Sequence, residues 1–406
     1  MISDWLKKFF FAELVFRSLN LDRFYHFAWA LWGKLSYRQP REDICVIGIT
    51  GTKGKTTVIE ALSFVLESAG KKIAVLSSIK EKIGDIEGKN TTDNTMPGRA
   101  FVHRFIRDAK KADCGYVLVE VTSQGIVMSR HRFIDWNVGL ITNLAPEHIE
   151  AHGSFDNYRK AKFNFLKYIA RKGGGVFVNG DDDNSKFFID NLDSPSIFSK
   201  HNLPKEISGD SYLLSSEFNR ENAAAVYVLA RRFGIPGKII ISALNNFVGV
   251  SGRMELLKKE PFRVVVDYAH TPDSLEKVYQ TLSSNKKKNL ICVLGSAGGG
   301  RDKWKRPVMG KIASKYCRDV VLTDEDPYDE NPQKIIKEIR SGMNNFSGRL
   351  LENIDRRSAI REGIKLANDG DVVVITGKGS ETSIHIAGGK KIPWSDKGII
   401  LDILGK

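Results

Sequence analysis

Cysteine is scarce, and what is there forms no pattern. The 406-residue chain has four cysteines. They are Cys45, Cys114, Cys292 and Cys317, and no two stand in a Cys-x-x-Cys pair. That argues against a zinc site and predicts reduced core thiols in a reducing cytoplasm. Long apolar runs are missing too, so no stretch reaches the length of a membrane-spanning helix. No internal repeat or low-complexity linker interrupts the chain. Acidic charge is in deficit: 48 Asp and Glu stand against 62 Lys and Arg, a formal net charge of +14. That balance suits an anionic partner such as a nucleotide. The basic residues are spread along the whole chain, which favours a basic cytosolic enzyme over a nucleic-acid binder. With 42% hydrophobic and 27% charged residues, the composition is that of a globular protein able to build two or three domains.

Residues 1–40 differ from the rest. Trp, Phe and Tyr are interleaved there with Lys7, Lys8, Arg17, Arg23, Lys34 and Arg38. Glu13 interrupts the apolar run and no small-residue cleavage site follows, which speaks against a signal peptide. Two readings stand side by side. The segment is an interfacial amphipathic helix pair on a membrane surface, or its aromatics pack on the body of the protein.

From residue 42 onward, apolar β-branched runs alternate with helical stretches. Strands are predicted at 44–50, 72–78, 115–121, 138–143 and 175–180, with helices at 55–69, 97–111 and 155–170. A less regular Ser/Asn/Asp-rich segment covers 181–215, and two further helices follow at 218–233 and 237–246. The alternation then restarts, with strands at 263–268, 289–295, 319–324 and 371–377. The fold expected is α/β. A P-loop-type, mostly parallel central domain (42–252) is followed by a smaller Rossmann-like C-terminal domain (253–406), after an aromatic and basic segment (1–41).

The sharpest local signal is "GTKGKTT" at 51–57, where a buried strand gives way to a helix. Gly51 and Gly54 let the backbone N–H groups of Thr52, Lys53 and their neighbours curl around phosphates, and the helix start adds favourable partial charge. Lys55 can reach the terminal phosphates, the Thr56 hydroxyl can ligate Mg²⁺, and Thr57 completes the motif. The strict motif wants a further Gly where Ile49 stands. Glu120 at a strand end and His148 just past another are candidate metal ligands.

The ordered series "GTKGKTT", "EVTS", "TNLAPEH", "YRKAK", "DYAHTPD", "GGGRDKWKRPVMG", "TDEDP" and "GKGSE" resembles the Mur ligases of peptidoglycan synthesis. It is most similar to the branch that adds the third amino acid to UDP-N-acetylmuramoyl-dipeptide. The resemblance runs from about residue 42 to the C-terminus. It implies an ATP-dependent ligase in which a substrate carboxylate becomes an acyl phosphate and an amine then displaces phosphate. It implies Lys55 and Thr56 on ATP and Mg²⁺, and Glu120 and His148 on metal. Lys162 matches a lysine that family members carbamylate, which would let it help hold a second Mg²⁺. Arg253, Asp267, Tyr268 and His270 would face ATP or the reaction centre, and Asn219 and Asn222 the nucleotide. Arg301, Glu325, Asp326, Gly377 and Glu381 correspond to the pocket for the incoming amino acid. Asn94, Thr95, Thr122 and Arg130 correspond to the muramoyl-peptide side.

Five departures bear on substrate. Tyr328 stands where diaminopimelate-adding members have Arg, and Glu325 replaces the motif Asp. Met96 replaces a Thr and Met128 a Gln on the muramoyl-peptide side. At the front, about forty residues stand where ordinary members hold the UDP end of the substrate with a complete domain. Diaminopimelate is therefore not expected as the added amino acid. Other acceptors, such as a γ-glutamyl chain or a lipid-linked muropeptide, and a non-catalytic ATP-binding scaffold, remain alternative readings. The expected location is the cytoplasm, with contact to the inner face of the membrane through residues 1–40.

Overall fold

The computed structural model describes residues 22–37, 44–90, 92, 94–207, 214, 216–283 and 289–405. What the sequence suggests for 1–21 and 38–43 lies outside these residues. The chain divides into two compact units. The first runs to Phe247 without Pro146–Glu150; the second comprises that short segment and the chain from Val248 onward.

The first unit is built on an eight-stranded sheet. Its strands are β1 (Cys45–Thr50), β2 (Ile73–Leu76), β3 (Lys80–Ile83), β4 (Ile86–Lys89), β5 (Tyr116–Glu120), β6 (Val138–Ile141), β7 (Gly175–Asn179) and β8 (Ser196–Phe198). They lie in the order β4-β3-β2-β5-β1-β6-β7-β8. From β2 to β8 the neighbours are parallel, and β3 and β4 add an antiparallel hairpin at one edge. The parallel strands read as unbroken Val/Ile/Leu runs because both of their faces are covered. Val46, Ile47 and Ile49 on β1 are all buried, as are Val117, Leu118 and Val119 on β5. Helices Lys55–Ser68, Phe101–Lys111, Phe155–Ala170 and Glu217–Arg232 supply much of that cover.

The second unit repeats the plan on a smaller scale. Its strands β9 (Glu255–Lys258), β10 (Arg263–Asp267), β11 (Leu290–Leu294), β12 (Asp319–Leu322), β13 (Arg349–Glu352) and β14 (Val372–Thr376) lie in the order β13-β12-β11-β14-β10-β9. All pairs are parallel except β9 with β10. A separate hairpin joins β15 (Ser383–Ile386) to β16 (Lys390–Pro393). The α/β architecture expected from the alternating pattern is the one observed.

Three expectations need correction. Four reduced thiols were expected, but Cys292 and Cys317 form a disulfide. Their Cα atoms are 6.0 Å apart, within bridging range, where the end of one helix returns beside β11. A spacing of 25 residues gives no sign of that return. The stretch 181–215, expected to be irregular, contains helix Ser185–Asn191 and strand β8. Both are too short to leave a periodic signature. The helix expected from Pro97 begins at Phe101, because Ala100 before it is left-handed, with φ 60°.

Candidate active site

In the first unit, β1 lies between β5 and β6, and all three run the same way. Their carboxyl ends therefore converge, and the register sets Ile49 opposite Glu120 and Thr50 opposite Ile141. The loop 51–54 leaves β1 at this end and leads into helix Lys55–Ser68. Gly54 caps that helix with φ 85°, a left-handed conformation that costs a residue with a Cβ about 1–2 kcal/mol. A Cβ there would also fall 2.4 Å from Asn222 Oδ1. The helix start has no side-chain cap and no acidic residue in its first turn. Its N–H donors are thus not taken by a side chain of the cap, the arrangement an anion needs. These features fit a bound triphosphate.

Charge is gathered at the same place. Lys55 Nζ donates to the carbonyls of Gly51 and Thr52, at 3.2 and 3.0 Å. Lys162 Nζ donates to the same Gly51 carbonyl at 2.7 Å. It also lies 4.7 Å from the centre of the Tyr158 ring. Lys162 is only 1% exposed, so it is no surface lysine. Helix Phe155–Ala170 buries it on the same face as Tyr158, Phe165, Leu166 and Ile169. Glu120 is buried, and its Oε2 accepts from the Thr56 hydroxyl at 3.1 Å and from Ser78 N–H at 3.0 Å. Ser78 Oγ is also within 3.2 Å of Thr56 Oγ1, a contact between residues 22 apart that no motif signals. Among the described residues no group of three His, Cys, Asp or Glu side chains is arranged to hold a metal unaided. The donor set here is a hydroxyl and a carboxylate, which suits a hard cation that keeps water and phosphate oxygens as its other ligands.

The remaining loop residues have supporting bonds. Thr52 N–H donates to Asn143 O and Lys53 N–H to Asn143 Oδ1, both at 2.9 Å. Thr57 is buried in the first turn. Asn222 Nδ2 donates to Asn219 Oδ1 at 3.3 Å, so the two asparagines support each other beside Gly54. His148 is elsewhere in the division of the chain: it belongs to Pro146–Glu150, grouped with the second unit, and has φ 56°.

Also in the first unit, Arg130 meets the two methionines that depart from the family pattern. Its guanidinium donates to Met96 O and, at 3.0 Å, to Met128 Sδ. Two sequence departures thus share one neighbourhood. Thr122 caps helix Ser123–Val127 by accepting from Gly125 N–H. Asn94 is exposed and donates to Thr92 O, and Thr95 is half-buried.

In the second unit, the carboxyl ends of β10, β11, β12 and β14 carry most of the other predicted residues, and Arg253 precedes β9. Asp267 Oδ1 accepts from Ala269 N–H and Oδ2 from Met254 N–H, each at 2.7 Å. It therefore shapes the loop that follows β10. Tyr268 OH donates to Glu381 Oε1 at 2.9 Å, and the Arg253 guanidinium lies 4.2 Å from the Tyr268 ring centre. Burial, with the Glu381 charge beside it, raises the Tyr268 pKa well above the ordinary value. His270 Nδ1 is 2.8 Å from Tyr268 O. Lys378, buried and not predicted as a site residue, donates to Asp326 at 2.8 Å and pairs with Glu381 at 2.5 Å.

Arg301 Nη2 donates to Tyr328 OH at 3.0 Å. The Tyr328 ring stacks on His385, with centres 5.1 Å apart and planes 14° off parallel. Glu325 is buried against Gly377: a Cβ on that glycine would lie 2.4 Å from Glu325 Oε2. That oxygen has no hydrogen-bond partner. Desolvation pushes the Glu325 carboxyl up to about 7 despite nearby Lys305, Arg356 and Lys378. Asp324 is pushed up to about 6, again mainly by burial.

Comparison with known proteins gives one family. Residues 49–230 match the Mur ligase middle domain and residues 252–379 the glutamate ligase domain of Mur ligases. A UDP-N-acetylmuramoyl-L-alanyl-D-glutamate–2,6-diaminopimelate ligase of Syntrophomonas wolfei is 35% identical over 402 residues, covering 93% of this chain and 81% of that protein. A solved structure of a ligase of the same name has a TM-score of 0.59 at 26% identity, covering 93% of this chain and 81% of the other. The folylpolyglutamate synthase of Mycobacterium tuberculosis, solved with ADP and AMPPCP, shares the fold with a TM-score of 0.65 at 16% identity, covering 86% of this chain and 92% of its own. A glycine loop, a buried carboxylate and a buried lysine near the carboxyl ends of β1 and β5 accord with these matches along both units, which make the chain a member of the Mur ligase family.

Proposed function

We propose that this protein is an ATP-dependent, ADP-forming ligase that joins an amino acid to a muramoyl-peptide-like carboxylic acid in peptidoglycan synthesis. The observation that carries the reading is the gathering of Lys55, Thr56, Glu120 and Lys162 at one uncapped helix start. ATP supplies the phosphoryl group that activates the acceptor carboxylate as an acyl phosphate. Lys55 and the loop N–H groups hold the negative charge that builds up in that step. Thr56 and Glu120 would hold Mg²⁺, and a carbamylated Lys162 a second ion. Asn219 and Asn222 support the nucleotide side. In the second unit, Tyr268 and Lys378 fix Glu381, whose carboxylate would take the ammonium group of the incoming amino acid. Arg253 and His270 would act on the reacting phosphate, and His148 on metal.

The acceptor class is a UDP-N-acetylmuramoyl-dipeptide or a relative of it. Met96 and Met128 around Arg130 favour an acceptor with fewer polar contacts on that side than the relatives' substrate has. The residues at this pocket disfavour diaminopimelate and leave lysine or another amino acid open, because Tyr328, stacked on His385 and bonded to Arg301, cannot form the two-pronged pair that Arg makes with a carboxylate. The test is phosphate release from ATP with UDP-muramoyl-dipeptide and a panel of amino acids. Release that depends on both substrates is expected. ATP binding without turnover for any acid and amine would leave a scaffold instead.

A further inference from the structure

Helix Asp22–Ser36 is seated beside the start of helix Phe101–Lys111. Ala30 and Gly33 are buried on the seated side. A Cβ on Gly33 would fall 2.7 Å from Ala100 Cβ and 2.8 Å from the His103 ring, so the chain passes close there. Packing on the body, one of the two readings of residues 1–40, is what this helix shows. Trp29 and His26 stand about one and two turns before Gly33, on the same side of a helix turning ~100° per residue. They line one groove with Gly98, Arg99, Met128 and Arg130.

Two features suit this groove to an anionic ligand. The first is the charge of Arg130. Its Nε is buried without a hydrogen-bond partner. Its two bonds go to a backbone carbonyl and a thioether, both neutral. Desolvation lowers its pKa from the ordinary value, with no acidic neighbour acting against it. A cation held out of water without a counter-charge is costly, and an anion in the groove would offset that cost. The second feature is the loop. Arg99 and Ala100 are both left-handed, with φ 53° and 60°, a conformation that residues with a Cβ avoid and that gathers at ligand sites. Gly98 before them leaves the guanidinium its place, since a Cβ there would lie 3.2 Å from Arg130 Nε.

We propose that helix Asp22–Ser36 forms one wall of the acceptor site, with an anionic group of the acceptor on Arg130 and the adjoining sugar–peptide part against Trp29 and His26. The proposal rests on the ligase reading above. An indole gives a broad, stiff apolar surface, and a histidine adds a ring nitrogen that can meet a hydroxyl or amide. With Met128 they make the mostly apolar lining, with few polar groups, that small-molecule sites have.

Calorimetric titration of the full chain with UDP-N-acetylmuramoyl-dipeptide reads binding without turnover, and phosphate release reads the reaction. W29A is expected to weaken binding of this acceptor about tenfold and to raise its KM by a similar factor, the effect of truncating one aromatic anchor. The KM for ATP should stay as in the native chain. W29F, which keeps a ring, should recover most of the loss, and H26A should lose about threefold. L35S, on the exposed side of the same helix, should bind and turn over like the native chain. If W29A melts well below the native chain, W29L, which keeps bulk and loses the ring, takes its place. Binding and KM that no substitution at Trp29 or His26 changes overturn the proposal and leave the ligase reading standing. An equal loss in L35S also overturns it, because the helix would then act through its fold and not through the groove. A native chain that binds no muramoyl acceptor and releases no phosphate with any acid and amine overturns both.

Discussion

Lys55 and Lys162 donate to one and the same carbonyl oxygen, that of Gly51, at 3.2 and 2.7 Å. Two ammonium groups sharing one acceptor repel each other, and burial of Lys162 weakens solvent screening of that repulsion. Carbamylation of Lys162 would replace the repulsion with attraction and supply an oxygen ligand for a cation. Carbon-13 bicarbonate is therefore expected to give a carbamate signal that K162A lacks. K162A should lose about a hundredfold in phosphate release, in the range a misplaced reacting group costs. A variant with normal turnover would reduce Lys162 to a structural residue.

The bond from Thr56 to Glu120, 3.1 Å long, pairs the two proposed oxygen ligands. Replacing Glu120 by Gln keeps the shape and removes the charge. E120Q is expected to need about tenfold or more Mg²⁺ for half-maximal phosphate release, with little change in melting point. The same Mg²⁺ requirement as the native chain would take Glu120 away from the metal.

How much of this was legible beforehand depended on the element. The central strands were readable because parallel strands covered on both faces become unbroken apolar runs, as in "ICVIGIT". The strands missed lie at edges or in hairpins. β3 reads "KEKI" and β4 "IEGK", half-buried or exposed, and such strands carry charge because their outer side faces water. The loop glycines, Lys55 and Thr56 were local motif signals. The burial of Lys162 was not, because it depends on the end of β1 and Gly51 arriving from elsewhere in the chain. The Lys378–Asp326 pair and the Tyr328–His385 stack likewise join segments far apart in sequence. No spacing rule reports such contacts.

The Tyr328–His385 stack bears on which amine is accepted. Y328R would free Arg301 from its bond to the tyrosine hydroxyl and bring in a second guanidinium. Amino acids ending in a carboxylate should gain at least about tenfold in kcat/KM relative to those without one, the size of one charge-assisted bond. An unchanged ranking of amino acids would separate Tyr328 from selectivity.

Glu325 makes the second unit sensitive to pH. Folding moves its carboxyl from an ordinary 4.5 up to about 7, chiefly through desolvation. The folded state therefore holds this proton more tightly than the unfolded chain. The stabilisation is present in full below about pH 4.5 and is lost as pH rises through about 7. A shift of that size corresponds to something on the order of 3 kcal/mol. Asp324, up at about 6, contributes in the same direction over a lower window. E325Q cannot ionise and removes the larger share. Its melting point is expected to change less between pH 5 and pH 8 than that of the native chain. The native protein should lose most of its advantage at the alkaline end, where its buried oxygen without a partner becomes part of an anion. Parallel melting curves for the two proteins across this range would show that Glu325 is not the titrating group.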